Sequence, residues 1–97
     1  MTDFAVKKKI WRIKKRAIQL LIDTGWDTRL LDGEIFHIEA TRKHSETILK
    51  IRIEAGEPKE GIIKEIKSID LPTNCKKEIW HKESGSRKFN ILSLNGS

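Results

Sequence analysis

The apolar residues of this chain change period after residue 23, and the change separates the first helix from a sheet. Over residues 5–23, Val6, Ile10, Ile13, Ala17, Leu20 and Leu21 recur at three- and four-residue steps. That spacing aligns them in one stripe along a helix. Trp11, Ile18 and Ile22 form a second apolar strip beside it. From residue 34 the step becomes two. Phe36, Ile38 and Ala40 alternate with His37, Glu39 and Thr41, which predicts a strand over 34–43. Leu49, Ile51 and Ile53 alternate with Lys50, Arg52 and Glu54, which predicts another over 47–55.

Turn chemistry divides the rest. Thr24-Gly25 closes the first helix, with Gly25 just past its C-terminus. Residues 26–31 read as a short strand and Asp32-Gly33 as a hairpin turn. His44-Ser45-Glu46 is a polar turn. Gly56-Glu57-Pro58 opens a second helix, with Pro58 at its first position and a buried stripe of Ile62, Ile63, Ile66 and Ile69. After the loop Leu71-Pro72-Thr73-Asn74, residues 76–81 and 88–94 form a hairpin around Glu83-Ser84-Gly85-Ser86, and residues 94–97 are a loose tail. The expectation is a single α+β domain over 1–97, in the order αβββαββ. It comprises an N-terminal helix, a three-stranded antiparallel meander, a second helix and a C-terminal strand hairpin. The second helix can carry the chain back across the sheet face, and a right-handed crossover then permits a parallel pairing for the fourth strand. Ninety-seven residues suffice for one modest core.

The formal charge of +6 is local. Residues 1–22 carry seven Lys and Arg against Asp3 alone, while residues 23–97 hold thirteen of each sign. Lys8, Arg12, Lys15 and Gln19 fall on the helix face opposite the apolar stripe, Arg16 and Lys9 adjoin it, and Lys7 lies near the free end. A solvated helix normally mixes signs so that residues four apart attract. Here the like charges have no acidic neighbour after Asp3, which points to a polyanionic partner. Lys7, Lys8, Lys9, Arg12, Lys15 and Arg16 are the expected phosphate contacts. DNA ranks ahead of RNA, with backbone contact rather than base readout. An acidic protein partner is the alternative reading. Anionic lipid ranks low, because the helix needs its apolar stripe for the core.

Other classes lose ground. No apolar run approaches a bilayer span. Met1 to Lys7 is not followed by an apolar segment, which predicts no secretory signal. Cys75 is the only cysteine, which fits a reducing cytoplasm. The three histidines and Cys75 lack zinc-ligand spacing, and the glycines are too dispersed to cradle a phosphate. Abundant Lys, Glu and Ile with Gln19 alone resembles thermophile composition. Of Trp11, Trp26 and Trp80, at most one is expected to be exposed.

The two middle strands set His37, Glu39 and Thr41 beside Lys50, Arg52 and Glu54. One reading is a salt-bridged solvent face, each cross-strand pair adding roughly 0.2–1 kcal/mol. The other is a metal-dependent nuclease. Glu39 and Glu54 would share Mg²⁺, Asp32 would supply a third oxygen, and Lys50 would stabilise developing charge. The catalytic set is then Glu39, Lys50 and Glu54, and the metal set Asp32, Glu39 and Glu54. No other cofactor is implied.

The first helix, the phrase Leu20-Leu21-Ile22-Asp23-Thr24-Gly25-Trp26, the run Phe36-His37-Ile38-Glu39-Ala40-Thr41-Arg42, and Ile48-Leu49-Lys50-Ile51-Arg52-Ile53-Glu54 resemble the core of the PD-(D/E)XK nuclease superfamily. The archaeal Holliday-junction resolvase and restriction-endonuclease-like groups are the nearest. The resemblance implies a restriction-endonuclease-like core. The family's Asp opening the second strand falls at His37, and its acid-x-Lys falls at Arg52-Ile53-Glu54, with acid and base exchanged. It therefore implies a nucleic-acid-binding fold with a degenerate catalytic motif, Arg52 joining the phosphate contacts. An active Mg²⁺-dependent endonuclease with a site migrated to Asp32, Glu39 and Lys50 is the alternative. A homodimer through the edge strand 88–94 or the Trp11/Ile18/Ile22 strip is a further expectation.

Overall fold

A computed structural model of the protein describes residues 2–32, 35–83 and 85–94, with the side chains of the first helix described from Lys8 onward. Helix α1 spans Thr2–Asp23 and is followed by β1 (Asp27–Leu30), β2 (Ile38–Thr41) and β3 (Ile48–Ala55). Helix α2 (Glu60–Ser68) leads to β4 (Cys75–Lys82) and β5 (Asn90–Ser93). The strands form one five-stranded sheet in the order β1-β2-β3-β4-β5. The first three are an antiparallel meander, with Arg29 opposite Glu39 and Glu39 opposite Lys50. Helix α2 carries the chain over so that β4 runs parallel to β3, and β5 returns antiparallel to β4. The expected αβββαββ order and α+β class are thus realised.

Alternation along the strands gives the sheet an apolar face under α1, while on the other face α2 covers an apolar patch over β4 and β5. Ile13, Ala17 and Leu21 of α1 pack on Ile38, Ala40, Leu49, Ile51, Ile53 and Trp80. Ile66 of α2 packs on Ile79 and Leu94, with Leu92 and Phe36 alongside. Burying each Ile or Leu contributes about 1.5–3 kcal/mol, so these two clusters hold the helices in place.

Both helix ends are fastened by specific groups. At the end of α1 the Trp26 amide donates to the Leu21 carbonyl at 2.9 Å and the Gly25 amide to the Ile22 carbonyl at 3.0 Å. That pair of bonds requires the left-handed backbone of Gly25, φ 93°. Arg42 stacks on the Trp26 ring at 4.2 Å and donates to the Thr24 carbonyl, tying the helix end to the sheet. At the end of α2 the buried Lys77 ammonium donates to the carbonyls of Ile66, Lys67 and Ile69 at 2.8–3.1 Å. A cation on the last carbonyls is the arrangement that the helix dipole favours.

Four local expectations are corrected. Leu20 is exposed rather than part of the buried stripe, and Ile18 of the second strip packs against the core instead. The regular pleat of β2 begins at Ile38, not residue 34, so Phe36 joins the α2 cluster while Ile38 joins the α1 cluster. His37 is buried, not part of a solvated row. Helix α2 begins at Glu60 after an extended Lys59, so Pro58 lies before the helix and not at its first position. Gly33 and Glu34 in the first hairpin, Ser84 in the last, and residues 95–97 of the expected tail lie outside the described residues.

Candidate functional site

The basic residues of α1 divide according to what the sheet places beside each flank of the helix. Arg12 and Arg16 are four residues apart and exposed, with buried Ile13 anchoring the helix between them. On that flank the β4–β5 hairpin brings up Lys82 and Arg87. The four cations and Ile13 line one cavity of about 430 Å³, with no acidic residue in its wall among the described residues. The hairpin is fixed there by Phe89, which packs on the first core and meets Trp80 with ring centroids 5.4 Å apart. Lys82 Nζ lies 5.7 Å from the Phe89 ring centroid. Among the described residues, none of these four cations enters an ion pair.

Lys8, Lys9 and Lys15 are exposed along the same helix. The Lys7 side chain lies outside the described residues. On the opposite flank, Trp11, Lys14 and Lys15 face Leu30, Leu31 and Asp32 across a groove of about 330 Å³. Trp11 is exposed, Trp26 half-buried and Trp80 buried, so one tryptophan meets solvent.

The candidate acids are elsewhere. Glu39, Lys50, Arg52 and Glu54 alternate with the residues that contact α1 and therefore lie on the other sheet face. Both Glu39 carboxylate oxygens are engaged, one by Arg29 at 2.7 Å and the other by Lys50 at 3.2 Å. Arg52 Nε lies 3.6 Å from Glu54, and its guanidinium donates to the Ile35 carbonyl at 3.1 Å. Asp32 lines the Trp11 groove by α1, away from this row. The proposed metal set of Asp32, Glu39 and Glu54 is therefore not brought together. Among the described residues no three His, Cys, Asp or Glu side chains form a group able to hold a metal ion. The physical reason is placement and pairing: Asp32 lies by α1, off the strand row, and Glu39 gives both its oxygens to Arg29 and Lys50. Glu39 and Lys50 do sit together, but as an ion pair. Arg52 stands apart from the α1 cradle.

His37, where the resembling family has its Asp, acts as backbone. Its Nδ1 accepts the Ile53 amide at 2.9 Å, while its own amide donates to the Ile51 carbonyl. The imidazole thus replaces the next carbonyl of the β2–β3 ladder. Burial, then the nearby charges of Arg52 and Lys14, lower its pKa from 6.5 to about 4. A neutral imidazole is the form that this acceptor role requires.

Sequence reasoning missed Lys82 and Arg87. The signal was the composition of the last hairpin, where Lys82, Arg87 and Lys88 outnumber Glu83. What periodicity does not reveal is which flank of α1 that hairpin meets. No protein-family model, curated protein or solved structure matches the chain. No helix among the described residues is long and apolar enough to cross a membrane.

Proposed function

We propose that the protein is a nucleic-acid-binding domain that grips phosphates between α1 and the β4–β5 hairpin. The observation that carries this reading is the cavity walled by Arg12, Arg16, Lys82 and Arg87 with no acid among them. Two chain segments far apart in sequence contribute the cations. Like charges brought together by the fold repel in the free protein, and a bound polyanion relieves that repulsion. Three of the four have no ion pair or ring contact among the described residues, and Lys82 has only the Phe89 ring. The exposed Lys8, Lys9 and Lys15 extend the field along the helix. Arginine supports the assignment further, since its planar fork matches phosphate oxygens in pairs.

The restriction-endonuclease-like resemblance fits a domain that binds without cutting, and the reading contains no hydrolytic step. Glu39 and Glu54 are already ion-paired with Arg29, Lys50 and Arg52 on the other sheet face.

The test is a titration against labelled duplex and single-stranded DNA at two salt concentrations. Contacts to roughly four phosphates give a log–log salt slope near −3.6, so affinity drops about a hundredfold between about 50 and 200 mM salt. No binding, or binding indifferent to salt, would sink the proposal.

A further inference from the structure

We infer that the other flank of α1 is a stacking site for one unpaired base, so that the nucleic acid held by the cradle is single-stranded where it crosses this helix. The inference rests on the phosphate-binding reading above and names the substrate class within it. The groove has an apolar wall and a charged rim. Trp11 is 56% exposed and Leu30 is 59% exposed, unusual for side chains this large, and Ile18 and Leu31 complete the apolar surface between them. The Lys15 ammonium lies 5.0 Å from the Trp11 ring centroid, with Lys14 beside it. Asp32 places a carboxylate on the far wall.

Each part selects against simpler occupants. A free inorganic anion has no use for Trp11 and Leu30. A purely apolar ligand has no use for two lysines. A second copy of this chain in a two-fold contact would set the cationic helix against its own twin, at a like-charge cost. A nucleotide uses all of them. Its base has a flat apolar face for the indole, its edge carries N–H donors for Asp32, and its phosphate meets Lys14 and Lys15. The base must be unpaired, because in a duplex both faces are already stacked. A groove of about 330 Å³ lies at the lower end of the roughly 300–1,000 Å³ typical of small-ligand sites. A helix with its side chains is only about 10–12 Å across. A few nucleotides therefore reach from the cradle, over Arg12 and Lys15, to Trp11.

The experiment compares wild type, Trp11→Ala, Trp11→Phe, Leu30→Ala and Arg87→Ala against oligothymidylate and a duplex of equal length, at one low salt. Thermal melts check folding, and sedimentation checks self-association. Trp11→Ala is expected to weaken single-strand binding by roughly tenfold, the scale of one lost base stack, and to leave duplex binding unchanged. Trp11→Phe restores most of the loss, Leu30→Ala gives a smaller loss in the same direction, and Arg87→Ala weakens both substrates. If Trp11→Ala and Leu30→Ala leave single-strand binding intact while Arg87→Ala weakens both, the stacking site is overturned and the cradle stands. If Trp11→Ala weakens both substrates equally, the single-strand claim is overturned. If the wild type is a dimer that Trp11→Ala dissociates, the groove belongs to a second copy and the inference fails. If Arg87→Ala changes neither substrate, the phosphate-binding reading falls first.

Discussion

Protonating His37 removes the acceptor that its Nδ1 offers to the Ile53 amide, and the cost can be worked out from its surroundings. In the unfolded chain the imidazole binds a proton near pH 6.5; in the fold, burial and the charges of Arg52 and Lys14 delay that to about 4. Between those values the unfolded chain holds more protons than the folded one, so stability falls as pH falls. The contribution is fully present above about 6.5 and is lost progressively down to about 4. At 1.36 kcal/mol per tenfold in proton affinity, the loss amounts to about 2 kcal/mol at pH 5 and about 3 kcal/mol at pH 4. For a domain of this size each kcal/mol moves Tm by roughly 4–8 °C. The assay is urea or thermal unfolding across this range, for wild type and His37→Asn. The amide oxygen of Asn is bonded to Cγ, as Nδ1 is, and accepts the Ile53 amide without titrating, so subtracting the two curves removes the contribution of the carboxylates. Wild type should lose about 3 kcal/mol more than the variant between pH 7 and pH 4. Parallel curves would refute the reasoning, because they would mean that His37 charges in place without cost.

Three further outcomes follow from named contacts. Lys77→Met keeps the buried stem but strips the carbonyls of Ile66, Lys67 and Ile69 of their donor. It should cost about 2 kcal/mol and lower hydrogen-exchange protection at the end of α2, both measurable on one sample. Phe89→Ala leaves every cation in place but frees the hairpin, so DNA affinity should fall together with a stability loss of about 2 kcal/mol. Glu39→Gln and Glu54→Gln should leave DNA affinity unchanged or slightly raised, with or without Mg²⁺ in the titration. A loss of binding that appears only with Mg²⁺ would revive a metal site on that sheet face.

The long periodic segments were legible because burial on one side dictates them. Ile13, Ala17 and Leu21 are buried at helical spacing, and Leu49, Ile51 and Ile53 at strand spacing, as read. Gly25 ends α1 for the reason its position suggests. The period-two pattern runs on through Phe36, although β2 begins at Ile38 and the His37 side chain takes the next bond of the ladder, from the Ile53 amide. Nothing in a one-dimensional pattern distinguishes an imidazole that replaces a carbonyl from one that faces water. The start of α2 was placed early because Pro58 suits a helix start, but Lys59 remains extended. The phosphate-contact set was half legible. Charge asymmetry pointed to Arg12 and Arg16, whereas Lys82 and Arg87 join them only through a non-local packing of the last hairpin on α1, which Phe89 fixes. The acids were legible as a row but not as ion pairs, since the pairing of Glu39 with both Arg29 and Lys50 depends on register.

The proposed phosphate site joins α1 to the β4–β5 hairpin. The measurement that tests it most directly is the salt dependence of DNA binding for wild type, Lys82→Ala, Arg87→Ala and their double variant. Lys64→Ala on α2 is the control, since Lys64 is exposed and pairs with Glu60. Each cradle variant should reduce the magnitude of the log–log slope by about 1 and the double variant by about 2, with the control unchanged. Slopes that stay at the wild-type value in both hairpin variants would contradict the account, and would return the binding, if any, to α1 alone.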